Sequence, residues 1–194
     1  MGKCDLSYCV RRMTEDDISA VSELDRRIFP DMKMPTNFEN ELKNCMAHYI
    51  VACECDSAKS INSNDSNVIG YAGLWIMVSE AHIVNIAVAH NYRRRGLGEL
   101  LLLALIELAL DMKCNMMTLE VRASNVTAQR LYQKYGFTSR GVRKGYYNDN
   151  REDGIIMTVD NINSKTFKGE YKKLKGDYQK KRGAAEIILT APIS

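Results

Sequence analysis

The ten residues His90-Asn91-Tyr92-Arg93-Arg94-Arg95-Gly96-Leu97-Gly98-Glu99 carry the chemistry most readily read from this chain. They follow a strand-like run and open a long apolar segment with the character of a helix. A helix start exposes several unpaired N–H groups and a partial positive charge. Gly96 and Gly98 remove side chains, so that a phosphate can approach the backbone. Arg93, Arg94 and Arg95 add fixed charge and forked donors for phosphate oxygens. Together these features describe a pyrophosphate cradle. The spacing matches neither GxGxxG nor GxxxxGK(S/T), so a dinucleotide fold and a P-loop are both poor fits. On local physics alone, a basic loop that merely caps a buried helix is an equally open alternative.

Such a cradle needs a scaffold, and the flanking sequence supplies one. Ser7 to Met13 reads as a first strand, and Thr14-Glu15-Asp16-Asp17 as a capping box that starts a helix reaching about Phe29. Phe38 to Met46 reads as a second short helix. His48 to Cys55, Val68 to Val78 and Ala81 to Ala89 are strand-like, with a turn at Ser79-Glu80 and a solvated Ser/Asn-rich loop at Ser57 to Asn67. Gly96 to Met112 is the strongest helix, apolar almost throughout, as expected when a helix packs tightly on a sheet. Met116 to Val121 is a strand. Asn125 to Tyr135 is a helix that ends at Gly136. Phe137 to Arg140 and Ile155 to Val159 complete the strands. Strand–helix–strand order over Ala81 to Val121 implies a mixed α/β sheet. The expected organisation is one domain over residues 1–160, followed by an extension over 161–194.

At 194 residues, 45% hydrophobic and 26% charged, the chain has the size and composition of one globular domain, which excludes a disordered or collagen-like polypeptide. No run approaches the ~20 apolar residues of a membrane span. Met1-Gly2-Lys3-Cys4-Asp5 is not followed by a hydrophobic signal core, so a cytoplasmic location and no membrane partner are expected. The net charge of +3 is unevenly spread, since Lys165 to Arg182 holds eight basic and two acidic residues. A lysine run of this kind is usually a solvated tail. Contact with RNA or an acidic partner is the alternative. Cys4, Cys9, Cys45, Cys53, Cys55 and Cys114 include no CxxC pair. They read as small buried hydrophobes, with neither a metal site nor a disulfide framework expected.

Arg93-x-x-Gly96-x-Gly98 resembles the Q/R-x-x-G-x-G/A motif of the GNAT superfamily of acetyl-CoA-dependent N-acetyltransferases. Asn85-Ile86-Ala87-Val88 is similar to the strand that precedes that motif. Leu119-Glu120-Val121-Arg122-Ala123-Ser124-Asn125, then Ala128, Leu131-Tyr132 and Tyr135-Gly136-Phe137, resemble the second half of the family site. Arg143-Lys144-Gly145-Tyr146-Tyr147, Arg151-Glu152-Asp153 and Met157 resemble the C-terminal signature of the RimI-type branch, which acetylates the N-terminal alanine of a ribosomal protein. The detailed resemblance spans about residues 80 to 159.

The resemblance implies a GNAT fold: a central mixed, mostly antiparallel sheet of about seven strands, flanked by helices, with splayed central strands. Acetyl-CoA is then the co-substrate and no metal is needed. The implied cofactor contacts are the backbone of Ile86, Ala87 and Val88, the segment Arg93 to Glu99 (Leu97 and both glycines included) and Asn125. Glu120 falls at the position of the general base, where strand alternation sets it opposite Leu119 and Val121. Otherwise it is a solvated strand glutamate. Tyr132 falls at the position of the general acid. The bland alternative is a helix face shared with Tyr135. Tyr146 and Tyr147 resemble residues that pin a peptide N-terminus. Taken as strand neighbours they point to opposite faces, so one of the two would touch substrate. The implied partner is a protein N-terminus, a ribosomal protein first of all. Another amine substrate, or a non-catalytic acetyl-CoA-binding module, is the alternative. Three departures stand out: no tryptophan in Phe29 to Phe38, Gly154 where relatives usually carry alanine, and an extension with no recognised counterpart.

Overall fold

In a computed structural model, the structure describes residues 7–30, 35–55, 67–183 and 185–189. The expected loop at Ser57 to Asn67, apart from Asn67 itself, and part of the Phe29 to Phe38 segment therefore lie outside the described residues. Among the described residues, eight strands form one sheet: β1 (Ser7–Arg12), β2 (Ala47–Cys55), β3 (Val68–Met77), β4 (Glu80–Val88), β5 (Met116–Arg122), β6 (Thr138–Arg143), β7 (Gly154–Val159) and β8 (Glu186–Ile188). Their order across the sheet is β6-β7-β5-β4-β3-β2-β1-β8. Neighbours are antiparallel except β4–β5 and β1–β8. The mixed, mostly antiparallel sheet is as expected. β8 is an eighth strand, contributed by the segment beyond residue 160.

Among the described residues, five α-helices cover the faces: α1 (Ile18–Ile28), α2 (Phe38–Lys43), α3 (Leu97–Asp111), α4 (Val126–Lys134) and α5 (Lys165–Arg182). Period-two alternation splits the core between the two sides of the sheet. Cys9, Tyr49, Val51, Cys53 and Tyr71 pack with α1 and α2, where Phe38 meets Tyr49 and Tyr71 edge-on at 5.5 and 5.4 Å. Val10, Ile50, Ala52, Ala72 and Leu74 face the other way, toward α3 and α5. The Thr14 segment opens as a short 3-10 turn rather than as helix. There Asp17 accepts from the Thr14 N–H at 2.9 Å and is gripped by both Arg11 nitrogens at 2.7 and 2.8 Å.

Ten of the fifteen residues of α3 are buried, more than one sheet-facing stripe can account for. The outer face of α3 lies under α5. Tyr171 of α5 donates to the Leu103 carbonyl at 3.0 Å, Lys175 pairs with Glu107, and Tyr178 reaches the first turn of α3 at Gly96. α5 therefore runs antiparallel to α3. Lys165 to Arg182 is a packed helix, with Tyr171 and Tyr178 buried, rather than a solvated tail. Most of its lysines are exposed, while Tyr171 and Tyr178, about two turns apart on one face, supply the buried contact.

The cysteines depart from expectation in one respect. Cys9 and Cys55 form a disulfide, with Cα atoms 6.0 Å apart. β1 and β2 pair Cys9 with Cys53, so Cys55 is the diagonal neighbour on the same face, within reach of the bridge. Strand register, which spacing along the chain cannot supply, brought these two sulfurs together. Cys53 and Cys114 are buried thiols, as expected.

Candidate active site

The parallel pairing of β4 with β5 stops at Ile83–Leu119. Beyond it β4 stays bound to β3, and β5 stays bound to β7. The register of β3 with β4 shifts between Gly73 and Leu74, leaving Val84 as the extra residue of a bulge. The two central strands thus part into a fork. Ala89 donates its N–H to Ile69 of the β3 side, so alternation turns Ala87 toward β3 and leaves Ile86 and Val88 facing the gap. Two of the three expected β4 residues therefore offer backbone groups to a ligand in the fork. One of these, the Val88 carbonyl, accepts from Arg93 Nε at 3.2 Å.

At the open end of β4, the chain turns through His90–Tyr92 and enters α3. Arg94 and Gly96 hold positive φ values of 63° and 90°, and Gly96 caps α3 without any side-chain hydrogen bond. The first N–H groups of α3 are left without a capping side chain. The two glycines have different tasks. A Cβ at Gly98 would meet nothing within 4 Å, whereas one at Gly96 would lie 3.0 Å from Arg182 Nε and 3.3 Å from Tyr178. Gly98 leaves room for a ligand; Gly96 makes the left-handed turn and clears space for α5. Arg95 stacks on Tyr92 at 5.1 Å. Glu99 bonds Lys134 at 2.5 Å and Tyr135 Oη at 2.7 Å, so its carboxylate braces α4 rather than facing the turn. Asn125 caps α4, its Oδ1 accepting from Ala128 N–H at 3.1 Å.

Glu120 is the first β5 residue past the fork. Its side chain is only 5% exposed, against the solvated alternative. Its carboxylate lies 3.1 Å from Arg143 Nε and 3.1 Å from His82 Nε2. The sequence offers Arg143 only as part of the C-terminal signature, with no role, and gives no signal for His82. His82 lies on β4, three residues before the Asn85–Val88 segment, and only the β4–β5 register, which pairs it with Thr118, brings it beside Glu120.

Tyr146 and Tyr147 lie in the loop joining β6 to β7, not in a strand, so the expectation of opposite faces fails. Their rings meet edge-on at 5.1 Å. Tyr147 Oη donates to the Glu120 carbonyl at 3.3 Å, and Arg143 packs on the Tyr146 ring at 5.4 Å. Both rings therefore border Glu120. Burial, and then the Glu120 charge, push the Tyr146 hydroxyl above its ordinary pKa. Gly154 explains how Tyr146 fits: a Cβ there would come within 3.0 to 3.2 Å of the Tyr146 side chain.

Glu152 and Asp153, whose roles sequence alone left blank, hold this loop. Glu152 accepts from Ser124 N–H at 2.7 Å and pairs with Arg122 at 3.2 Å. Asp153 accepts from Gly145 N–H at 2.9 Å and from Lys144 at 2.7 Å. Arg122 in turn lies 3.9 Å over the Tyr147 ring. The Ser124 hydrogen bonds, with Arg122 and Asn150, hold the Glu152 carboxyl down at about 2. Tyr132 packs against Phe137 at 5.9 Å, and burial pushes its hydroxyl up to about 12. No group of three His, Cys, Asp or Glu among the described residues is arranged to hold a metal, and no described helix is long and apolar enough to cross a membrane.

A mixed sheet forked at its centre, with a glycine turn at one arm and a buried carboxylate at the other, has the architecture of an acetyltransferase. The chain belongs to the acetyltransferase (GNAT) family, whose model matches residues 18–137. It is 39% identical over 151 residues to a Bacillus subtilis (strain 168) protein named "Putative ribosomal protein bS18-alanine N-acetyltransferase", covering 77% of this chain and 93% of that one. It is 31% identical to an N-alpha-acetyltransferase of Saccharolobus solfataricus, covering 77% of this chain and 91% of that one. Among solved structures, the ribosomal-protein-S18-alanine N-acetyltransferase of Escherichia coli aligns with TM-score 0.64 at 26% identity, over 79% of this chain and 94% of that one. Arabidopsis thaliana NAA60 in complex with acetyl-CoA aligns with TM-score 0.69 over 81% of this chain and all of that one; at 20% identity, this is a likeness of fold.

Proposed function

We propose that this acetyltransferase uses acetyl-CoA to acetylate the N-terminal α-amine of a protein, with the terminal alanine of a ribosomal protein as the first substrate to test. The observation that carries the reading is a buried carboxylate, Glu120, at the fork, bordered by two tyrosines held in a braced loop. The residues present suit coenzyme A. Ile86 and Val88 face the gap, and space is open above Gly98. When bound, coenzyme A supplies an acetyl thioester whose carbonyl carbon takes up the amine and whose sulfur departs.

Glu120 accepts the amine proton. An α-amine loses its proton near pH 8, against ~10.4 for a lysine side chain, so an ordinary carboxylate suffices at neutral pH. Arg143 and His82 hold the carboxylate in place, and Tyr146 and Tyr147 orient the peptide end beside it. Tyr132 is the hydroxyl donor toward the departing sulfur. With its pKa near 12 it keeps its proton and donates a hydrogen bond. Thiols near 8.5 are too acidic to strip it outright. This sharpens the part expected of it, from proton donor to hydrogen-bond donor. The cytoplasm is the compartment where such a substrate is made.

Peptides ending in Ala or Ser, free polyamines, and peptides with a blocked terminus but a free lysine would be offered with acetyl-CoA. Turnover of the free α-amine peptides at least tenfold above the others is expected. Equal or greater turnover of the lysine or polyamine substrates would transfer the reading to another amine, and acetyl-CoA binding without turnover on any would favour a binding module.

A further inference from the structure

The helix beyond residue 160 covers α3 and ends on the glycine turn. We propose that α5 supplies Arg182 as a phosphate ligand of coenzyme A, so that the C-terminal segment forms part of the donor site. The proposal rests on the reading that this chain binds acetyl-CoA.

Three observations support it. First, the antiparallel course of α5 along α3 is fixed by buried anchors, Tyr171 on Leu103 and Tyr178 at Gly96, so the position of Arg182 follows from packing rather than from a free tail. Second, Arg182 Nε stands 3.0 Å from where a Cβ would project at Gly96, directly over the entry to α3. Third, its charge is uncompensated there. No ion pair or hydrogen bond of Arg182 is found among the described residues, and the nearest acid of α3, Glu99, is held by Lys134 and Tyr135. A guanidinium parked at the positive end of a helix dipole, over a turn whose sequence already carries three arginines, is unfavourable by itself and becomes favourable when an anion sits there. Gly96 then has a clear purpose. A Cβ at 96 would crowd the Arg182 side chain and oblige it to shift.

Coenzyme A offers two kinds of phosphate at this end, the diphosphate and the 3′-phosphate. Calorimetry with acetyl-CoA, acetyl-3′-dephospho-CoA and acetyl-pantetheine on wild type, Arg182→Ala, Arg182→Lys and Arg182→Glu tests the assignment. Arg182 is exposed, so each variant should fold. We expect Arg182→Ala to raise the acetyl-CoA dissociation constant by about tenfold, the size of one charge-assisted hydrogen bond, with Arg182→Glu worse and Arg182→Lys intermediate. Acetyl-pantetheine, which lacks these phosphates, should bind all four proteins alike. A loss that persists with the dephospho donor identifies the diphosphate as the contact, and one that disappears identifies the 3′-phosphate. Unchanged acetyl-CoA binding in Arg182→Ala, tighter binding, or an equal loss for acetyl-pantetheine would overturn the proposal while leaving the acetyl-CoA reading intact. Failure of the wild type itself to bind acetyl-CoA would overturn both.

Discussion

Replacing Glu120 with Gln keeps the side-chain volume and removes only the charge. The amide can still accept from Arg143 Nε and donate toward His82 Nε2, both 3.1 Å from the present carboxylate oxygens. Arg143 is 54% exposed and can be solvated when its partner is neutralised. The loss of stability should therefore stay within about 1 kcal/mol, a shift in Tm of roughly 2–4 °C for a chain of this size. A general base is worth about 10²–10⁴ in rate. In this site Glu120 must desolvate the amine and take its proton from a side chain only 5% exposed, so we expect kcat/KM at pH 7 to fall by about 10²–10³, or roughly 3–4 kcal/mol. Because an α-amine with pKa near 8 is about 10% neutral at pH 7 and about 90% neutral at pH 9, raising the pH should restore up to about tenfold of the loss. Initial rates with an alanine-terminal peptide, together with calorimetric acetyl-CoA affinity, measure both quantities. A kcat/KM within threefold of wild type at pH 7 would refute the argument. So would a parallel loss of acetyl-CoA affinity, which would make Glu120 a binding residue.

Tyr132→Phe should lower kcat by about tenfold to a hundredfold with KM for the peptide unchanged, since one hydrogen bond to a developing negative charge is lost; an unaltered kcat would reduce Tyr132 to packing. The ionised Glu152 stabilises the fold because its pKa lies below the ordinary 4.5, at about 2. Its contribution is complete above about pH 4.5 and disappears as the pH falls toward 2. Denaturant titrations of wild type and Glu152→Gln should differ by a constant amount above that range and converge below it, and a pH-independent gap would contradict the clamp. A chain ending at Asp160 would expose the outer face of α3, including Leu103, and should be insoluble or lose its cooperative transition. A well-folded truncated protein with wild-type Tm would refute the role given to α5 in the core.

The sequence by itself determined the family and the main elements before residue 160. Alternation fixed the strands, the continuous leucines fixed α3, and the glycine turn with its arginines marked the start of that helix. These signals are local, set by what each residue's own backbone and near neighbours prefer. What the tertiary structure decided was everything that depends on register across strands and on which surface covers which. His82 and Arg143 reach Glu120 from two other elements; Cys9 meets Cys55 diagonally across a ladder; Tyr146 and Tyr147 turn together because Glu152 and Asp153 pin a loop. The lysine-rich C-terminal segment was the hardest to place. Its net charge spoke for solvent, while the few tyrosines that spoke for burial acquire meaning only once the outer face of α3 is known to need a cover. Charge along a chain is additive, but burial is a property of pairs of surfaces, and no single stretch of sequence holds both members of the pair.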